Sequence, residues 1–120
     1  MIVDSGKDDI TVQYIKANYQ KIKVGVGSDD TTSGSVDLDS PIVSANGTVL
    51  VKTGVEPDPD GSRLRWNVSF TGAELGTQGV SEIGIFKNST DIMLCRAIFK
   101  NTGIIASNET VSFTIQLEVN

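Results

Sequence analysis

The chain has no histidine, a single cysteine and three prolines among its 120 residues. Without histidine it lacks the commonest general base near neutral pH and the commonest nitrogen ligand for zinc. With Cys95 alone, no internal disulfide can close and no Cys–His nucleophile pair can be assembled. Aromatic residues make up only 6% of the chain, with one tryptophan, so platforms for stacking a base or a sugar are few. No apolar run approaches the roughly 18 residues of a membrane-spanning helix. The first nine residues also lack the hydrophobic core of a signal segment, so synthesis in a host cytoplasm is expected. Ten Lys and Arg stand against fifteen Asp and Glu, for a formal net charge of −5. A surface that follows nucleic-acid phosphates carries the opposite balance, and the nearest approach to a basic cluster is Arg63-Leu64-Arg65. The expectation is a chain with no catalytic set, no cofactor and no metal, which neither binds nucleic acid nor inserts into a membrane.

What is present reads as one β-rich domain over residues 1–120. At this length about two-thirds of the unfolded surface can be buried, enough for a core without staples. Residues 1–20 admit two patterns. Asp8 and Asp9 before Ile10, Tyr14 and Ala17-Asn18 suit a short helix with acids at its positive end, whereas Ile10, Val12 and Tyr14 alternate as in a strand. The helix is the expectation.

Residues 21–27 alternate Ile22, Val24 and Val26 against Lys21, Lys23 and Gly25, the pattern of a half-buried strand. Gly25-Val26-Gly27 invites comparison with a phosphate loop, but Asp30 stands where the third glycine belongs and no helix pattern follows. Residues 28–40 read as a loop too polar to pack. Asn46-Gly47 is a hairpin signal within residues 41–55, of which 48–55 form the better strand. Residues 56–62 hold two prolines, three acids and Asp60-Gly61, a turn in which Glu56, Asp58 and Asp60 are better solvated than bound to calcium or arranged as a catalytic pair. Residues 63–72 alternate Leu64, Trp66, Val68 and Phe70 with polar partners. Residues 109–119 do the same with Val111, Phe113, Ile115, Leu117 and Val119. Six or seven strands at short spacing, with no long helix beyond the N-terminal one, predict an all-β antiparallel sandwich or small barrel.

The organising stretch is residues 80–100, VSEIGIFKNSTDIMLCRAIFK, two strands around the turn formers at 87–91. Placing Lys87 opposite Asp91 puts Ile85 across from Met93, Ile83 from Cys95 and Glu82 from Arg96, a favourable charge pair. Ile83, Ile85, Met93, Cys95, Ala97 and Phe99 then share one face, which makes Cys95 a small buried hydrophobe and not a reactive thiol. Val80, Phe86, Ile92, Leu94 and Ile98 share the other with Glu82 and Arg96. Two apolar faces mean that the hairpin lies between two layers of its own chain or that another molecule covers the second face. Glu82, Arg96, Phe86, Ile92, Leu94 and Ile98 are accordingly the structural or interface candidates. Asn-X-Ser/Thr triplets at Asn46, Asn67, Asn88 and Asn108 are read as turn or strand chemistry, not as glycosylation sites.

The order of these segments resembles domains of bacteriophage tail-fibre and related tail-appendage proteins. The carriers are a strand ending in Gly-X-Gly (VGVGSDDTTSGSVDLDSPI), a Trp/Phe strand, Val-Ser-Glu-Ile-Gly-Ile-Phe, then Leu94-X-Arg96-X-X-Phe99 and a final alternating strand, across residues 20–119. The loop after Phe86 departs from the family in lacking Asp-Gly, and no repetitive shaft sequence follows. The resemblance implies a stand-alone virion structural protein, located in the particle and working by contact with other virion proteins and with copies of itself, a trimer being the common form. Two other readings share the pattern: a capsid decoration or head-fibre protein, and an adhesion module binding host-surface carbohydrate through Trp66, Tyr14 or Tyr19, with a host receptor as partner.

Overall fold

The computed structural model describes residues 3–28, 35–44 and 47–119. A helix, α1 (Asp4–Asn18), precedes seven strands: β1 (Lys21–Gly25), β2 (Val51–Lys52), β3 (Asp58–Asp60), β4 (Arg63–Thr71), β5 (Glu82–Phe86), β6 (Met93–Ile98) and β7 (Thr110–Glu118). They form two antiparallel sheets with strand orders β2-β1-β5-β6 and β3-β4-β7. Ile22, Val24, Ile83 and Ile85 of the first sheet share one core with Leu64, Trp66, Val68 and Phe70 of the second. The molecule is therefore mostly β, consistent with a β-sandwich. The small barrel is excluded, because among the described residues the two sheets are not joined edge to edge.

The helix expectation holds, but α1 begins at Asp4, four residues before Asp8, and its inner side is Val12 and Ile15. Ile10 and Tyr14, which the strand pattern grouped with Val12, stay half exposed at 58% and 50%. Val12 and Ile15 stand three positions apart on the helix, so both reach the core, while Ile10 and Tyr14 share a different side. The C-terminal end of α1 is tied to the turn of the organising hairpin by Asn88. Its backbone N–H donates to Asn18 O (2.8 Å), its Nδ2 donates to Ala17 O (3.2 Å), and its Oδ1 accepts the Gln20 N–H (2.8 Å).

The long strands follow their alternation. On β4 every second residue is buried, and on β7 every second residue is half-buried. The acidic turn at 56–62 is more regular than expected. Asp58 and Asp60 lie in an edge strand and face Arg65 and Arg63, and Gly61, at φ 62°, takes the first central position of the two-residue turn. β1 departs from the half-buried expectation: it runs between β2 and β5, and both its faces are covered. Val26, assigned inward, falls just beyond the strand and is 39% exposed. Only Val51–Lys52 of the predicted 48–55 strand is laddered; on the N-terminal side of the turn, Val43 bridges Val49. Asn46 of the Asn-Gly signal lies outside the described residues, as does Asp30.

Candidate functional site: the carboxylate clasp and the open edge

The hairpin of β5 and β6 forms as expected, in a different register. Glu82 faces Ile98, Ile83 faces Ala97, Gly84 faces Arg96 and Ile85 faces Cys95. This is two residues from the predicted match, so the predicted sides survive along this part of the pair. Between Ile85 and Phe86 the register shifts, pairing Phe86 with Met93 and leaving Leu94 as the extra residue of a bulge. The bulge reverses the period locally: Leu94 packs against the core, and Met93 takes the Phe86 side. Lys87 does not meet Asp91. Its N–H donates to Ile92 O, and Asp91 instead pairs with Lys21 (2.9 Å) and Lys23 (3.5 Å) on β1.

Glu82 and Arg96 meet all the same, diagonally across the ladder, with Arg96 Nε donating to Glu82 Oε1 at 2.9 Å. Long side chains bridge such i, j±2 neighbours readily. Both are buried, with side-chain exposures of 0% and 2%. Three backbone N–H groups complete the shell of the carboxylate. Asp39 N–H donates to Oε1 (2.8 Å), and Ser40 N–H and Gly27 N–H donate to Oε2 (2.7 Å each). Burial by itself would raise the pKa of this carboxyl. The Ser40, Arg96, Asp39 and Gly27 donors outweigh burial and hold it below the ordinary glutamate value.

The Gly-X-Gly segment thus has a use that its likeness to a phosphate loop obscured: it leaves room for an anion from the chain itself. A Cβ on Gly25 or Gly27 would run into the Glu82 carboxylate, and one on Gly25 would also lie 2.5 Å from Ser40 O. Ser81 locks the same corner, its N–H donating to Gly25 O and its Oγ to Gly27 O.

The described end of the polar loop, residues 35–40, does pack, contrary to the sequence expectation. Leu38 is buried and lies over Gly84, where a Cβ would come within 2.9 Å of both Leu38 Cδ2 and the Phe86 ring. Lys23 stands 4.3 Å from the centre of the Phe86 ring. The second face of the hairpin therefore has a cover within its own chain over Glu82, Phe86 and Arg96. A neighbouring molecule is not needed there. Of the remaining interface candidates, Ile92 (55%) and Ile98 (37%) are exposed. Cys95 is half-buried against the core, and burial pushes its thiol up to about 11, so it stays protonated at neutral pH.

A surface that the sequence reading did not single out lies at the open side of the two sheets. β6 and β7 end their sheets, and a cleft of about 410 Å³ opens between them, lined by Ile83, Ala97, Phe99, Val111, Phe113 and Ile115 among others. The inward row of β7 is only half-buried along its whole length. The sequence signal was available: Val111 to Val119 is as apolar on its inner face as Leu64 to Phe70, yet nothing in the sequence says that only the latter is sealed. Compared with protein-family models and with curated proteins, the chain matches none.

Proposed function

We propose that the chain is a structural component of a tailed-virus particle, a tail-fibre or tail-appendage protein that works by contact with other virion proteins and by self-association, on a β-sandwich scaffold. One observation carries the reading. The residues behind the resemblance spend their chemistry inside the fold: Glu82 of Ser-Glu-Ile-Gly-Ile-Phe and Arg96 of Leu-X-Arg-X-X-Phe form one clasp with the Gly-X-Gly loop. Segments that recur together in that family are here the parts that must meet for the domain to close. Phe99, the last residue of the motif, packs 5.6 Å from Phe113, joining the same hairpin to β7.

Trp66, the strongest aromatic for an adhesion site, is fully buried and donates its Nε1–H to Tyr19 O (2.9 Å), which weakens the carbohydrate-binding reading. Antibody labelling of purified particles, read by electron microscopy, tests the proposal. The expected result is label on the tail. Label on the head assigns the chain to capsid decoration, and absence from particles overturns a virion role altogether.

A further inference from the structure

Resting on that reading of a self-associating structural protein, we infer that the free edge of β7 is the self-association surface, pairing antiparallel with β7 of a second copy about a two-fold axis through Thr114. The backbone pattern defines which groups are available. Val119 N–H donates to Ser62 O, and Glu109 O accepts from Gly72 N–H, so the odd-numbered residues of β7 spend their hydrogen bonds on β4. By the alternation of an antiparallel ladder, Thr110, Ser112, Thr114, Gln116 and Glu118 turn their N–H and C=O groups to the open side. The edge is nine residues long and is lightly guarded against strand pairing: it has no lysine, no proline and no bulge, and its one charge is Glu118 at the end. Of the other edge strands, β2 and β3 are two and three residues long, and β6, with six, is bulged at Leu94.

The edge complements itself. With Thr114 opposite Thr114, Ser112 meets Gln116 and Thr110 meets Glu118 on the outer face. On the inner face Phe113 meets Ile115 and Val111 meets Leu117. Polar faces polar, apolar faces apolar, and the one charged residue, Glu118, meets a threonine and not its own copy. Each of the five outward residues on each strand finds both partners, which gives about the ten hydrogen bonds of an ordinary protein interface. The axis stands normal to the joined sheet, so both copies place their β6 on the same side. The two apolar clefts then merge and each is closed by the partner's Phe113 and Ile115. A three-fold ring cannot pair this edge with itself, so the contact differs from the trimer that the family resemblance implies.

Light scattering on the whole chain, together with edge variants, tests the inference. Wild type should weigh twice 12.8 kDa at mid-micromolar concentration. Thr114→Lys sets two like charges face to face at the axis and should weaken association at least about tenfold with an unchanged circular-dichroism spectrum. Thr114→Cys in a Cys95→Ala background should cross-link on oxidation, since hydrogen-bonded pairs stand about 5.5 Å apart. Ser69→Cys, placed inside the sheet on β4, should not. A monomer, a trimer, a dimer indifferent to Thr114→Lys, or absence of the Thr114→Cys cross-link each overturns the pairing. So does β7 protection from hydrogen exchange that develops only with a different virion protein. A monomer found in purified particles sinks the pairing and leaves the virion role standing; a dimer absent from particles does the reverse.

Discussion

Glu82 is the residue on which the local structure turns. A fully buried carboxylate is costly unless its charge and lone pairs are answered, and here four donors answer them. Replacing Arg96 with alanine leaves that charge inside the protein without its cation, so Arg96→Ala should lower stability by about 3–5 kcal/mol, measured by urea unfolding. A wild-type midpoint would mean that the pair contributes as little as an exposed one, about 0–1 kcal/mol. The sign of the pH dependence follows from the lowered pKa of Glu82. The unfolded state takes up the proton first as pH falls, so the clasp contributes fully above the unfolded glutamate value, about 4.3. Its contribution fades as pH drops through the lower folded value. The melting temperature should therefore decline on acidification below about pH 4.5, and Glu82→Gln should flatten that decline while lowering stability at neutral pH. Glu82 was legible in the sequence as the only acid in an apolar strand, and Arg96 as its partner. The three N–H donors were not, because backbone groups leave no trace in a residue pattern.

Among the elements, α1 illustrates how a short helix acquires its orientation. Its N-cap, Val3, makes no side-chain cap, so the helix depends on what its inner side buries. Ile15→Ala should cost about 2–5 kcal/mol, and Ile10→Ala should stay within about 0.5 kcal/mol. Equal losses in thermal melts of the two variants would reverse the assignment of the faces. The β5–β6 hairpin teaches a related lesson. Charge matching located the contact between Glu82 and Arg96 but placed it directly across instead of diagonally, and the bulge at Leu94 exchanged the sides of Leu94 and Met93. One inserted residue inverts a period of two, and the sequence carried no glycine or proline at that point to announce it.

At the scale of the whole molecule, helix and both sheets feed one core, with Trp66 fully buried in it and hydrogen-bonded to the residue that follows α1. Unfolding should then be a single transition. Trp66 fluorescence and far-ultraviolet circular dichroism should give coincident urea curves, and an earlier loss of the dichroism signal would show α1 melting on its own. The same scale decides where association occurs. The hairpin's two apolar faces left open whether its own chain or another molecule covers the second; the chain covers it with Leu38, Lys23 and the loop around Asp39 and Ser40, and its half-covered apolar row is on β7.

By itself the amino-acid sequence determined the kind of molecule: alternating strands, a helical start, a turn at Asp60-Gly61, and a chain without histidine and with a single cysteine. Those properties are local, set by the period of side chains along a backbone and by the chemistry each residue carries wherever it lies. Only the tertiary structure decided which apolar face is sealed and which is open, and that a glycine pair serves a glutamate 55 positions away. Burial and anion binding depend on groups brought together through space, and a pattern of neighbours along the chain does not contain them.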